Sequence, residues 1–87
     1  MPSLKEKFAH LLSIPPEIAL DLPTITITGR QHVIIENYKN ILEFSDTHIA
    51  IRTKDGNVTI TGQALRLKEI TAEDLIISGR IENIALP

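Results

Sequence analysis

The chain contains no cysteine and no tryptophan. Without cysteine there is no disulfide and no thiolate zinc site, and a reducing compartment is acceptable. The aromatics are Phe8, Tyr38 and Phe44 alone, so any core must be aliphatic. An excess of positive charge is also missing. The net charge of -2 gives no generic attraction to nucleic acid, which would in addition want stacking aromatics. No apolar run approaches the ~18 residues of a membrane span. The start, "MPSLKEKFAHLLS", lacks the long apolar stretch of a secretory signal. A cytoplasmic protein is the default expectation, with no transmembrane segment. Neither G-x-x-x-x-G-K-[ST] nor G-x-G-x-x-G occurs, so no glycine loop is built to cradle phosphate. A nucleophile elbow is absent as well.

What remains is a globular composition, 43% hydrophobic and 23% charged over 87 residues. A chain of this size makes one domain and buries roughly 60% of its unfolded surface. Residues 1–14 read as an amphipathic helix and linker. Ser3 and Glu6 fit a capping box, and Leu4, Phe8, Leu11 and Leu12 form one stripe of a 3.6-residue period. Pro15-Pro16 ends the helix, because neither ring nitrogen donates a hydrogen bond. The stripe is expected to cover the sheet; a partner, a second copy or a membrane surface are the alternatives. The membrane is the weakest, since Glu6 offsets Lys5 and Lys7.

Residues 15–87 read as a single β domain, because from Thr24 the period becomes two. In "TITIT", Ile25 and Ile27 share one face and Thr24, Thr26 and Thr28 the other. "HIAIRTKDGNVTIT" predicts a hairpin with a type I′ turn at Asp55-Gly56, Ile51 opposite Ile60 and Thr53 opposite Val58. "IENYKNILEF" is read as a second hairpin about Lys39-Asn40, with Tyr38 facing Ile41 and Ile35 facing Phe44. That pairing sets Glu36 opposite Glu43, a like-charge conflict.

The phrases "TITITGR", "NVTITGQ" and "LIISGR" repeat, their glycines Gly29, Gly62 and Gly79 spaced by 33 and 17 residues. These glycines, with Asn40, Asp55 and Gly56, are read as turn or bulge positions. The expected class is all-β: a small β-sandwich-like domain of about seven to eight short antiparallel strands with a short N-terminal helix. A β-solenoid with rungs of about 17 residues is the alternative reading of the repeat. The expected core is Ile25, Ile27, Val33, Ile35, Leu42, Phe44, Ile49, Ile51, Val58, Ile60, Leu65, Leu67, Leu75, Ile77, Ile81 and Ile84.

The order "LDLPTITITGR", "IENYKNILEFSD", "IAIRTKDGNVTITG", "LRLKEITAEDLIISGRI" resembles the YabP/YqfC family of sporulation proteins of endospore-formers. The resemblance runs from Pro15 to about Leu86 and is closer to the YqfC branch. It implies a small all-β domain expressed in the mother cell, with the forespore or coat surface as other locations. It also implies a part in spore maturation or coat formation, other sporulation proteins as partners, and no catalytic residues or cofactor. Glu36, Asn37 and Tyr38 match the family's signature stretch, while Asn40 stands where a glycine is common.

Chemical readings compete with bland ones. Glu36 and Glu43 could be an acid–base pair, but both are expected on a solvated face. His10, His32 and His48 show no local metal spacing. His32, Asp46 and His48 remain candidates for a ligand- or metal-sensing module. Arg52, Lys54, Arg66 and Lys68 are expected to form a basic stripe if their strands pair. They join Glu36, Asn37 and Tyr38 as candidate partner-binding residues. The leading expectation is a non-enzymatic assembly module that associates with itself or with other proteins.

Overall fold

The computed structural model describes residues 22–87, so the expected helix within residues 1–14 lies outside them. Six strands follow in order: β1 (Thr24–Thr28), β2 (His32–Glu36), β3 (Tyr38–Phe44), β4 (His48–Thr53), β5 (Gly56–Ile70) and β6 (Asp74–Ala85). They form one sheet in the order β1-β2-β6-β5-β4-β3. Every neighbouring pair is antiparallel. The all-β expectation holds for the described residues. The solenoid does not, because its rungs would stack in parallel. No helix among the described residues is long and apolar enough to cross a membrane.

The strand count is six among the described residues, fewer than expected, because Gly62 and Gly79 do not end strands. Each lies inside a long one, next to a register shift of the β5–β6 ladder. At full extension the 15 residues of β5 would span about 50 Å. The longest principal-axis extent is 40 Å, and three register shifts interrupt the β5–β6 ladder, so β5 bends. Bulges supply the bend, since an extra residue on one strand kinks and twists the ladder. At the bend, Ala64 takes φ 52° and Gly79 φ 137°.

The bend divides the sheet into two arms. The first half of β5 carries β4 and β3, with Thr59 to Thr61 opposite the end of β6. The second half of β5, from Arg66, pairs with the start of β6, which carries β2 and β1. One buried cluster takes Val33, Ile35, Leu75 and Ile77 from one arm and Ile49, Ile51, Val58 and Ile60 from the other. Ile25 of β1 and Thr53 and Val58 of the other arm also line one hollow of about 330 Å³. One core is thus shared by two arms of a continuous sheet.

Turns tie the arms together. Leu65 N–H donates to the Asp46 carbonyl at 2.8 Å and Gly62 N–H to Thr47 at 3.1 Å, docking the β3–β4 turn on the bend. From the other side, Ile81 N–H donates to Arg30 at 2.7 Å and Gly79 N–H to Gln31 at 3.2 Å. Among the described residues every buried side-chain nitrogen or oxygen has a hydrogen-bond partner.

The β4–β5 hairpin forms with a register different from the one expected. Ile51 faces Val58, Ile49 faces Ile60 and Thr53 faces Gly56. The turn therefore falls at Lys54-Asp55, and only Gly56, at φ 123°, has positive φ there. Thr53 replaces the expected turn chemistry: its hydroxyl donates to the Gly56 carbonyl at 2.8 Å and accepts from Asp55 N–H at 3.2 Å. The change leaves each side chain on its expected face, so the core assignment survives. Ten of the expected core residues are buried: Val33, Ile35, Ile49, Ile51, Val58, Ile60, Leu65, Leu75, Ile77 and Ile81. Ile25, Leu67 and Ile84 pack against them. Ile27, Leu42 and Phe44 do not belong to the core, at 55%, 41% and 51% exposure. All three lie on edge strands, and a bulge at Leu42 leaves Ile41 to face Ile51 in their place.

Candidate functional site

The stretch from Ile35 to Phe44 is not a hairpin. β2 pairs with β1 and β6, whereas β3 is the far edge of the sheet, paired with β4. Lys39 and Asn40 lie inside β3, Asn40 opposite Arg52. The reversal falls at Asn37, which takes φ 64°. Asparagine tolerates that region better than other side chains bearing a Cβ.

Asn37 and Tyr38 hold this crossing in place. The Asn37 and Tyr38 N–H groups both donate to the Glu73 carbonyl, at 2.7 and 3.1 Å. Asn37 Nδ2 donates to the Leu22 carbonyl at 2.9 Å, and the Tyr38 hydroxyl to Thr71 at 2.7 Å. The crossing is thereby fastened to the β5–β6 turn. That turn is itself organised by Thr71, whose hydroxyl accepts from Asp74 N–H at 2.9 Å. Asn37 and Tyr38 are half-buried and committed to these bonds, while Glu36 is exposed opposite Asp74. Their geometry accounts for them as a corner that sends the chain from one arm to the other.

The remaining candidates separate. Arg52 faces Asn57 on the first arm, whereas Arg66 faces Ser78 on the second. The expected stripe of Arg52, Lys54, Arg66 and Lys68 therefore breaks at the bend. Arg66 and Lys68 instead border a hollow of about 440 Å³ with His32 and Ser78. Arg66 also lines a neighbouring open hollow of about 800 Å³ with Arg30 and Arg80. Sequence reasoning passed over Arg30 and Arg80. The available signal was the glycine-arginine ending shared by "TITITGR" and "LIISGR".

Glu36 and Glu43 do not face each other, since they lie on β2 and β3 at separate places in the sheet order. Glu43 Oε2 instead contacts His48 Nε2 at 3.0 Å in a solvent-accessible pair. His32 faces Ser78 on one arm and His48 faces Thr61 on the other. Among the described residues no group of three or more His, Cys, Asp or Glu could hold a metal ion. The proposed set of His32, Asp46 and His48 is therefore not assembled.

A family model described as the YabP family matches residues 21–87, which take in the whole sheet. The chain belongs to the YabP family. It is also 35% identical over 79 residues to a Bacillus subtilis (strain 168) protein named "Uncharacterized protein YqfC". That alignment covers 91% of this chain and 85% of the other.

Among the described residues of this YabP-family member the two sheet edges differ in kind. β3 is interrupted by two register shifts and carries Lys39 and Glu43. Bulges and charges of this sort keep an edge from accepting another strand. β1 has neither feature. Its five residues pair with β2 without a register shift. It contains no charged residue, and all but Ile25 are exposed.

Proposed function

We propose that this YabP-family protein is a non-enzymatic assembly module of sporulation, acting in the mother cell in spore maturation or coat formation. Strand addition at β1 is its means of assembly. The observation that carries the reading is that strand itself: regular, uncharged and paired on one side only among the described residues. Such an edge presents a row of backbone donors and acceptors to any incoming strand.

The sequence "TITIT" reads the same in both directions. An antiparallel β1–β1 pairing centred on Thr26 would set threonine opposite threonine and isoleucine opposite isoleucine. Like side chains of this type are favourable cross-strand partners. The arrangement obeys a two-fold axis and closes on itself, so a dimer is its simplest product. The resemblance to sporulation proteins supplies the process.

Affinity purification from sporulating cells tests process and partner together. Recovery of other spore-maturation proteins with the wild type, and their loss with T26K/I27K, is the expected result. Equal recovery with both proteins would place the contact away from β1. Recovery of nothing by either would remove the assembly reading.

A further inference from the structure

We propose that the hollow at the bend of the sheet is a binding site for a small ligand carrying two or more phosphate groups. Three arginines from three separate stretches of chain meet there. Arg30 follows β1, Arg66 lies in the second half of β5, and Arg80 lies in β6, and all line one open hollow of about 800 Å³. Arg66 also borders the adjoining hollow of about 440 Å³, where His32, Lys68 and Ser78 complete the lining. Among the described residues no acidic side chain lines either one. Among the described residues Arg30, Lys68 and Arg80 form no ion pair with an acid. In a chain of net charge -2, this is a local excess of cations with no counterion among the described residues.

The bend fixes the backbone that carries these residues. Gly79 follows an unusual backbone path immediately before Arg80, and Ala64 does so shortly before Arg66. Hydrogen bonds from Gly79 N–H to Gln31 and from Ile81 N–H to Arg30 fix the turn that carries Arg30. Non-glycine residues at positive φ persist where the surroundings hold them, often at binding sites. Arg66 donates its Nε–H to Ser78 Oγ at 3.3 Å, which orients the guanidinium and leaves its terminal nitrogens for a ligand. The repeated glycine-arginine phrase thus acquires a role: two turns or bulges deliver one arginine each to the same hollow.

The chemistry favours phosphate. Guanidinium groups are planar forks that pair bidentately with tetrahedral oxyanions. Two hollows that share Arg66 in their lining, with Arg30 and Arg80 at one and Lys68 and His32 at the other, suit a ligand with more than one anionic group. Among the described residues no aromatic lines them to stack a base. The recognition is by side chains, in contrast to the glycine loops that the sequence lacks.

The test is calorimetry of the full chain with tripolyphosphate, pyrophosphate, orthophosphate and citrate at about 0.15 M salt. Tripolyphosphate and pyrophosphate are expected to bind, with orthophosphate at least tenfold weaker. R66Q and R80Q should each weaken tripolyphosphate by about tenfold or more, the usual loss of a charge-assisted contact. R52Q, on the other arm, should change it less than twofold. Melting curves of the variants matching the wild type would attribute any loss to the site. The proposal is overturned by no binding of either polyphosphate at millimolar concentration. It is equally overturned by citrate binding as tightly as tripolyphosphate, or by R52Q weakening binding as much as R66Q.

Discussion

Replacing Gly79 with alanine adds a methyl group at a point where the two long strands press close together. The added carbon would lie 2.6 Å from the Ala64 carbonyl oxygen and 2.9 Å from Leu65 Cα. Both neighbours are backbone, so no flexible side chain can swing aside. The residue also sits at φ 137°, a region that L-residues rarely adopt. Strain of this kind costs about 1–3 kcal/mol. Relief by moving β6 would lengthen the Gly79-to-Gln31 and Ile81-to-Arg30 bonds, each worth about 1 kcal/mol. The sum is about 3–5 kcal/mol, a large share of the ~5–15 kcal/mol that holds a small domain together.

Gly29 provides the internal control, with φ 55° and nothing within 4 Å of its virtual Cβ. Gly29→Ala should therefore carry only the left-handed backbone penalty, about 1–2 kcal/mol. Urea titration followed by circular dichroism measures both. For a domain of this size the Gly79→Ala midpoint should fall by about 2 M or more, with Gly29→Ala in between. A Gly79→Ala midpoint equal to wild type, or Gly29→Ala as the worse variant, would refute the close approach at the bend.

Three further outcomes follow from named contacts. Ile60→Ala empties a fully buried position between Ile49 and Ile84 and should lose about 2–5 kcal/mol in the same titration. Asn37→Ala should be less stable than Asn37→Gly by about 1 kcal/mol, because both lose the Leu22 bond but only alanine resists positive φ. The reverse order in thermal melts would contradict the corner. Tyr38→Phe removes the bond to Thr71 and should cost about 0.5–1.5 kcal/mol, with faster amide exchange in the β5–β6 turn as the local readout.

The faces of β4 and β5 were legible because alternation is local. Ile49, Ile51, Val58 and Ile60 declare themselves within a dozen residues, and a register change that keeps each residue on its face does not disturb them. The position of the turn was harder to read, because glycine can occupy a turn or follow it, and the Thr53 hydroxyl decides between these by bonding Gly56. The order of strands was not legible at all. "IENYKNILEF" offers two asparagines, and local chemistry favours a short hairpin at Asn40. The chain turns at Asn37 instead, because Glu73 and Thr71, distant in sequence, supply acceptors there. Leu42 and Phe44 were assigned to the core from alternation alone, which does not reveal that β3 is an edge. Gly62 and Gly79 read from the sequence as turn or bulge positions, and the choice between the two needs the partner strand: both prove to lie beside register shifts inside long strands. The arginine hollow needs three such long-range placements, so the glycine-arginine repeat was its only local trace.

Light scattering across a wide concentration range, with wild type and T26K/I27K side by side, tests the assembly claim most directly. The wild-type mass should rise from the 9.7 kDa of one chain to twice that value, while T26K/I27K stays at one chain with an unchanged melting curve. A wild type that remains at one chain throughout would contradict assembly through β1, as would a variant that doubles in mass as readily.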